Sequence, residues 1–434
     1  MNIEEFYAET VASLPIIRQN NDFRKDLEMA LNTYSERVTQ IDIAHFASEE
    51  ERENIITSIN ALSDTIKKVV NLYYDGRRAN ALQVFRDQME CPNGLFENIG
   101  IHSIEKITHF KEKDAQGKVT IQERPTVWFR ARVFKDKQSH SFREMFHIPL
   151  DKRESVKTQR YSAQGYPCLY LGNTVYSCWE EMHRKRFDEL RFSGFKVRHT
   201  FDVYDLRIPK RSDFIESNFE KTLLRMPLII SSMVQVKNPE DPFKPEYIIP
   251  QLLIETIICR NREKWKNTTG PCDMPWGIIY TSTHINHDFP YGVDHLENIA
   301  IPVIASDDKC NYCEVLASLF DISTPLCLEY ESLKDNNVYL SWGITAEMSQ
   351  EEQIRTQYGQ SKMGFLEGRI RGAGEFQTLD HFVINVPLSG VVIGQDGASQ
   401  RVEIRASGPW TFETEELVDE NPEGLRERIE AENP

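Results

Sequence analysis

The stretch from Arg160 to Glu181, RYSAQGYPCLYLGNTVYSCWEE, places a cation, a phenol and a carboxylate pair around an apolar run. An arginine can hold phosphate oxygens through two parallel hydrogen bonds, and a tyrosine such as Tyr161 can stack or hydrogen-bond. A carboxylate from Glu180 or Glu181 can stabilise a developing positive charge. These residue types predict a site for an anionic substrate that carries a base.

Two other segments also end apolar runs with polar side chains. WFRAR carries Arg130 and Arg132, and WGIIYTSTHIN carries Ser282. They lie far apart along the chain, so spacing alone does not show that they meet. Four histidines have no evident partner and are expected to be exposed or internally hydrogen-bonded, namely His147, His183, His284 and His295.

The first part of the chain has helical periodicity. Ser48 and Glu51 have the spacing of a capping box, and apolar residues then recur every three or four positions up to Tyr73. Residues 22–45 predict another helix, and together the two predict a small bundle. Arg37 and His45 are too widely spaced for the paired Arg and His of ribonuclease bundles, so a packing or partner-binding role is favoured here.

The middle of the chain mixes strand and helix patterns. Val127 to Val133 predicts a strand, and the alternation from Phe195 to Val203 predicts a single strand with one buried face. Residues 247–259 predict a buried helix, and WGIIYTS predicts a strand. The fold class is therefore expected to be α+β, with an all-α part preceding a mixed α/β domain.

These patterns divide the chain into five segments. We expect a helical domain over 1–95, a linker or hairpin over 96–125 and a catalytic domain over 126–330. A C-terminal extension over 331–412, with helix-like and strand-like runs, and an acidic tail over 413–434 complete the chain. At 434 residues it is too long for one ordinary core.

Composition narrows the class of function. The net charge is −16, which argues against a protein whose main function is to bind nucleic acid or an anionic membrane. No apolar run is long enough to span a bilayer, and the start MNIEEFYAET lacks a secretory signal, so a cytoplasmic location is expected. Among the eight cysteines, Cys310 and Cys313 form a CNYC pair without a matching second pair, so no metal is expected.

The order of the segments resembles the RES family, named for its Arg, Glu and Ser. Arg130 stands where the family's first Arg stands, with Arg132 as the alternative. QRYSAQGYPCLYLGNTVYSCWEE is similar to the middle motif, in which Glu181 occupies the family position and Glu180 lies one residue early. The helix EYIIPQLLIETI with Gln251, the strand WGIIYTS with Ser282 and the strand ENIAIPV with Asn298 resemble the later motifs.

The resemblance covers roughly residues 126–330, under half of the chain. The segment between Glu181 and Ser282 is long and departs from the family pattern. The helical first part resembles RES proteins whose N-terminal domain is grouped with HEPN-like bundles. The family implies a fold related to ADP-ribosyltransferase toxins, NAD+ as substrate, inorganic phosphate as a co-substrate if the reaction is phosphorolysis, and no cofactor.

The resemblance also implies roles for individual residues. Glu181 would stabilise the cationic ribose, Arg130 and Arg160 would hold phosphates, Tyr161 would orient the ribose, and Ser282 would bond a phosphate or the nicotinamide amide. Arg132, Gln251, Asn298 and Glu180 are expected to assist substrate binding.

Three functions stay open from the sequence. They are NAD+ cleavage by phosphorolysis or hydrolysis as a toxin or defence effector, transfer of ADP-ribose to a macromolecule, and binding by a domain that has lost activity. An NAD+ consumer would need restraint, so an antitoxin or other regulatory partner is expected. The sequence also allows a homo-oligomer.

Overall fold

The computed structural model describes residues 1–91, 95–113, 119–134, 141–215, 218–267, 274–284, 296–304, 311–328, 358–359, 361–373, 376–377, 388–393, 399–406 and 412–415. Its helices and strands confirm the α+β class. Cys310 and His295 lie outside the described residues, as does most of the acidic tail.

Four helices precede the first strand and one short helix leads into it. They are α1 (Ile3–Phe6), α2 (Phe23–Thr39), α3 (Glu49–Tyr74), α4 (Arg78–Glu90) and α5 (Leu95–Asn98). Ser48 caps α3 by accepting a hydrogen bond from the Glu51 amide at 3.1 Å, as the capping pattern predicts. The predicted helix over 22–45 is shorter, because α2 ends at Thr39 and a separate 3-10 turn covers Ile43–His45.

Nine strands form one mixed sheet. In chain order its members are β1 (Gly100–Ile104), β4 (Val127–Val133), β5 (Cys168–Gly172), β6 (Leu190–Val197), β7 (Phe201–Leu206), β8 (Ile278–Thr281), β9 (Glu297–Pro302), β10 (Phe320–Ser323) and β11 (Phe376–Gln377). The order across the sheet is β1-β7-β8-β9-β5-β4-β6-β10-β11. The strands β2 (Ile107–Lys113) and β3 (Val119–Pro125) form a separate antiparallel hairpin.

The remaining helices and strands follow β5 along the chain. They are α6 (Val175–Glu181), α7 (Phe219–Ser232), α8 (Ile248–Asn267), α9 (Glu314–Leu319) and α10 (Lys362–Ala373), with a separate antiparallel sheet of β12 (Leu388–Ile393), β13 (Ser399–Ala406) and β14 (Phe412–Glu415). The predicted buried helix is α8 and the predicted WGIIYTS strand is β8. Among the described residues, no helix combines the length and apolar character that crossing a bilayer requires.

The single strand predicted from Phe195 to Val203 is wrong. The chain forms β6 and β7, which a three-residue turn separates and which pair with different neighbours. The alternation continues across the turn because residues of both strands, including Val197 and Phe201, face the same apolar core. β6 and β7 reach the same core across a short turn only if the sheet bends strongly between them. An alternation with a period of two residues does not report such a bend.

The two faces of the sheet are covered differently. One face encloses an inner core to which β4 to β10 contribute, with Trp128, Leu171 and Phe195 among its members. The other face is split between two covers. A helical core joins α1–α4, α7 and α8 to the β7-β8-β9-β5 half, and a smaller core joins α6 and α10 to β4 and β6.

The helical core crosses the expected boundary at residue 95. Tyr34 of α2 is fully packed, and its hydroxyl donates to the Leu223 carbonyl of α7 at 2.7 Å. Within the segment expected as a linker or hairpin, 96–125, β1 pairs with β7 at the edge of the main sheet. Helices of the first 95 residues therefore share their apolar interior with the sheet that carries the candidate site.

Candidate active site

Glu181 lies at the C-terminal end of α6, where the two covers of the sheet meet. Its Oε1 accepts hydrogen bonds from Ser282 Oγ at 2.6 Å and from Asn298 Nδ2 at 2.8 Å. About a third of the Glu181 side chain stays exposed, at 34%. The structure thus brings together three residues from a span of 117 positions in the sequence. Ser282 and Asn298 hold the accessible carboxylate of Glu181 in place.

The position of α6 depends on close contact with β5. A Cβ at Gly172 would lie 2.2 Å from Ser177 Oγ and 3.2 Å from Asn298 Oδ1, so only glycine lets the helix approach. Thr174 caps the helix by accepting from the Ser177 amide at 3.0 Å. Glu367 of α10 adds a second cap, because its carboxylate accepts from the Val175 amide at 2.7 Å.

The two neighbouring carboxylates have different surroundings. Glu180 is buried and accepts from the Tyr176 hydroxyl and from Arg184 Nε, the latter at 2.9 Å. Its partners lie on α6 itself and on the turn that follows. Glu180 is therefore engaged in a local ion pair, whereas Glu181 faces Ser282 and Asn298.

A sharp turn follows α6 and adds a histidine pair to the site. His183 and Arg184 both have positive φ, 54° and 53°, a conformation that costs non-glycine residues free energy. The turn brings the His183 ring to 5.1 Å from the His284 ring, edge to face. His284 Nε2 lies 4.0 Å from Glu181 Oε2, and its backbone amide donates to Ser282 Oγ at 3.1 Å.

Burial is the main reason that the pKa of His183 lies below its ordinary value, and the neighbouring His284 adds to the effect. The sequence alone predicts exposed or internally hydrogen-bonded side chains at both positions. Each follows a motif residue by two positions, Glu181 or Ser282, and that spacing is the signal that could have identified them.

Arg160 supplies the positive charge of the site. Its Nη1 donates to the carbonyls of Ser232 at 2.8 Å and Val234 at 3.2 Å, and its Nη2 donates to Val234 O at 3.2 Å and Thr283 Oγ1 at 2.9 Å. These four bonds leave Nε–H as the remaining donor of the guanidinium. Arg160 is thus fixed beside Ser282 as a charge, with most of its hydrogen bonds used by the protein.

The charges of Glu181 and Arg160 both affect the pKa of three tyrosines. Burial is the largest cause of the raised pKa of Tyr161, Tyr247 and Tyr280, while Glu181 raises the pKa of each further and Arg160 lowers it. Tyr161 is only 1% exposed and packs against Tyr280, with ring centroids 4.6 Å apart. Tyr161 is consequently buried in the packing around the candidate site in this structure.

Tyr247 is the half-buried aromatic of this group, and the sequence analysis missed it. The Arg160 guanidinium lies over its ring, 5.1 Å from the centroid, in a cation–π arrangement. Tyr247 sits inside the EYIIPQ motif, three residues before Pro250. Its place in the motif, four residues before Gln251, was the available signal.

Gln251 holds the turn that carries Arg160 and Tyr161. Its Nε2 donates to Thr158 Oγ1 at 2.8 Å, to Gln159 O at 2.8 Å and to Ser162 O at 3.1 Å. Gln159 and Ser162 also exchange backbone hydrogen bonds across the turn. Gln251 therefore positions the turn, and its amide nitrogen is already committed to protein acceptors.

Arg130 and Arg132 are not brought to Glu181. Side chains alternate across a strand, and Trp128 of β4 faces the inner core, so Arg130 and Arg132 project to that same face. Arg130 Nη1 donates to Met145 O at 3.1 Å, and Arg132 donates to the Glu144 carbonyl. Asn298 lies in register with Gly172 and projects to the opposite face, where Glu181 lies.

Arg130 is half-buried on the inner-core face of the sheet. Burial, and next the nearby Arg132 charge, lower the pKa of Arg130 to about 9. His147 lies close by, with Nδ1 2.8 Å from Ile148 O and Nε2 accepting from the Cys313 amide at 2.9 Å. His147 is thus satisfied internally, as the sequence analysis expected. Arg160, and not Arg130, is the arginine on the Glu181 side of the sheet.

The described residues contain no group of three or more His, Cys, Asp or Glu side chains arranged to hold a metal ion. Cys313 of the CNYC pair is buried against His147. Chemically, the arrangement offers a fixed carboxylate in Glu181, a fixed cation in Arg160 and the Tyr247 ring under that cation. Such a set suits a substrate that carries both a negative group and a centre that becomes positive during reaction.

The chain is similar to one curated protein, "Putative toxin YopC" of Bacillus subtilis (strain 168). The two are 29% identical over 346 residues, which span 74% of this chain and 70% of that protein. No family model matches the chain, and no solved structure matches it. The similarity extends well beyond the segment of residues 126–330, and at this identity it relates the chain to a protein named as a toxin.

Proposed function

We propose that this chain cleaves the bond between nicotinamide and ribose in NAD+ and acts as a toxin or defence effector. One observation carries the proposal, namely the accessible Glu181 carboxylate that Ser282 and Asn298 hold opposite the Arg160–Tyr247 pair. The motif resemblance to the RES family supports the substrate. The name of the Bacillus relative supports the toxin role.

The proposed reaction breaks the C1′–N bond of the nicotinamide riboside unit. Nicotinamide departs as a neutral molecule with the bonding electrons, so no general acid is needed, and the ribose carbon becomes cationic as in other glycosyl transfers. Water or phosphate then supplies the electron pair of the new C1′–O bond. Water gives ADP-ribose and a proton, and phosphate gives ADP-ribose 1″-phosphate.

Glu181 is the residue that stabilises the cationic ribose. Since Oε1 is engaged by Ser282 and Asn298, Oε2 is the oxygen that faces the substrate, on the side of His284. A charge held in place before reaction needs little reorganisation when the transition state forms. Ser282 itself is fully buried, so it orients the carboxylate rather than contacting a phosphate.

Arg160 and Tyr247 form the binding wall. The fixed guanidinium offers its charge and its Nε–H to the pyrophosphate, and the half-buried Tyr247 ring offers a face for stacking. Arg130 has no role in this proposal because its side chain lies on the opposite face of the sheet from Glu181. An antitoxin or other regulatory partner is proposed as the restraint, since unrestrained loss of NAD+ would harm the host.

The test is incubation of the purified chain with NAD+, with and without inorganic phosphate, followed by identification of the products. Nicotinamide released faster with phosphate supports phosphorolysis, and phosphate-independent ADP-ribose supports hydrolysis. Glu181→Gln keeps the hydrogen-bonding shape without the charge and is expected to lower the rate about 10²–10³-fold. The matched control Glu180→Gln alters the adjacent carboxylate and should stay within about threefold of the wild-type rate, because Glu180 contacts Tyr176 and Arg184.

Three outcomes would contradict the proposal. Equal rates for wild type and Glu181→Gln would remove the role of the carboxylate. Labelled ADP-ribose attached to a macromolecule, in place of free product, would indicate transfer. No nicotinamide from the chain, alone or with host extract as a source of activator, would favour a binding protein.

A further inference from the structure

A short segment after the first helix pairs with the backbone that holds Arg160. Ile16 forms a parallel bridge with Val234, in which its amide donates to Met233 O at 2.9 Å and its carbonyl accepts from the Gln235 amide at 2.9 Å. In an extended segment, successive carbonyls point to opposite sides. Met233 O therefore faces Ile16, while Val234 O faces away and accepts from Arg160.

The same segment has a second attachment to the site, through a buried ion pair. Arg18 Nη1 lies 2.7 Å from Glu246 Oε1, and the side chains are only 11% and 1% exposed. Glu246 directly precedes Tyr247, the residue whose ring lies under the Arg160 guanidinium. Residues 16–18 thus contact both elements that hold Arg160, the 232–235 backbone and the turn at 245–247.

The segment is in turn tied to the helical part. Asp26 of α2 accepts from the backbone amides of Gln19 and Asn20, the latter at 2.9 Å, and from the Asn20 side chain at 2.8 Å. Arg18 Nε donates to Asn20 O at 3.2 Å, which joins this turn to the ion pair. A continuous set of hydrogen bonds therefore runs from α2 through Arg18 to the wall of the candidate site.

We propose that Arg18 is a positioning residue for the NAD+ site, acting through Glu246 and the Ile16–Val234 pairing to fix Arg160 and Tyr247. The inference rests on the proposed function for the identity of the ligand, and on the contacts above for the positioning. It gives the helical domain a part in substrate binding. A buried pair of this kind is sensitive to loss of one partner, because the other charge is then left without compensation.

The experiment compares Arg18→Gln with Arg18→Lys and with a matched control, Arg24→Gln. Arg24 lies six positions away on α2, forms an exposed pair with Asp22 and contacts the Tyr74 ring. Two quantities are measured, the kcat and KM for NAD+ and the hydrogen–deuterium exchange of residues 158–163 and 232–236. The exchange arm needs no activity and no ligand.

For Arg18→Gln we expect KM to rise about 10–100-fold, since a displacement near 1 Å at a binding group can cost that much. The kcat should change less than about twofold, because binding in the ground and transition states weakens together. Exchange should speed up in both segments while α3 stays protected. Arg18→Lys should recover most of the loss, and Arg24→Gln should match wild type.

An Arg18→Gln protein with unchanged KM and unchanged exchange would overturn the proposal. So would faster exchange throughout α2 and α3, which would mark Arg18 as a general stabilising residue. If the single variant does not fold, R18Q/E246Q removes both charges together and replaces it in both measurements. A wild-type chain that does not cleave NAD+ would contradict the proposed function. Hydrogen–deuterium exchange of wild type and Arg18→Gln would still decide the positioning role.

Discussion

The two faces of the main sheet each carry an arginine, half-buried Arg130 and buried Arg160, and the arginines differ in what surrounds them. Arg130 on β4 faces the inner core, where a backbone carbonyl and a neutral His147 are nearby. Arg160 faces the opposite side, where backbone carbonyls fix it beside an accessible carboxylate and a half-buried ring. Arg130 lies on the face away from Glu181 and can support the fold, whereas Arg160 lies on the Glu181 side, where its charge can act on a ligand.

Residue type and motif order do not show which face of a sheet a side chain reaches. They therefore could not tell whether Arg130 or Arg160 lies on the Glu181 side. A strand presents alternate side chains to opposite faces, so a difference of one residue decides which arginine reaches the cleft. Phe129 and Gly172 face the side of the sheet that α6 covers, while Trp128 and Arg130 face the inner core. If the two faces divide function from stability in this way, substitutions on each face should have different effects.

The largest expected effect separates the two arginines directly. Arg160→Gln removes the charge of the candidate site and should lower kcat/KM for NAD+ about 10²–10³-fold. Arg130→Gln should lower the thermal midpoint while the activity per folded molecule stays near that of wild type. Steady-state kinetics and thermal unfolding of both variants check this. A large activity loss in folded Arg130→Gln, with little loss in Arg160→Gln, would reverse the assignment of the faces.

The inner-core face should show a pH-dependent contribution from His147. Burial is the main cause that lowers the pKa of His147 to about 4, whereas an unfolded chain has a value near 6.5. The unfolded state therefore binds more protons between these values, and the contribution of His147 to stability falls as pH drops from about 6.5 to 4. The free energy of unfolding of wild type should move toward that of His147→Asn by up to about 3 kcal/mol over this range.

Urea denaturation at several pH values measures this difference. His109→Gln is the control, because His109 is an exposed side chain on the separate hairpin and should leave the pH profile unchanged. A constant difference between wild type and His147→Asn from pH 7 to 4 would contradict a buried neutral imidazole.

A smaller effect is expected from the turn that carries Arg160. Gln251→Leu removes the three hydrogen bonds to residues 158–162, so the turn should lose its fixed position and KM for NAD+ should rise about tenfold. Thr256→Val on the same helix deletes a bond within α8 and should leave KM unchanged. Equal KM values for wild type and Gln251→Leu would show that the turn is held by its own backbone bonds.

The smallest effect concerns Tyr247. Tyr247→Phe keeps the ring under Arg160 and should bind NAD+ as wild type does, whereas Tyr247→Leu removes a cation–π contact worth about 0.5–1 kcal/mol. The KM for NAD+ should therefore rise about two- to fivefold in the leucine variant only. Titration of NAD+ by calorimetry gives the same comparison as an equilibrium constant. A loss in Tyr247→Phe as large as that in Tyr247→Leu would assign the effect to the hydroxyl.

Much of the fold was readable from local patterns. Ser48 and the apolar repeat predicted α3, β-prone residues predicted β4, and the apolar run from residue 247 predicted α8, because capping and periodicity act over a few neighbouring residues. The break between β6 and β7 was missed, since both strands keep the same alternation while the bent sheet gives them different partners. Pairing partners are set by contacts across the chain, which periodicity does not report.

The sequence by itself determined the ingredients of the site, namely the stretch from Arg160 to Glu181, Ser282 and Asn298, and the α+β class. The motif already favoured Glu181 over Glu180. Only the tertiary structure decided that Glu181 meets Ser282 and Asn298, that Arg160 and not Arg130 lies on that side of the sheet, and that Arg18 pairs with Glu246 next to Tyr247. The physical reason is that a local pattern fixes where a side chain lies along a strand or helix. Which face of the folded sheet it reaches, and what it meets there, depends on packing between distant segments.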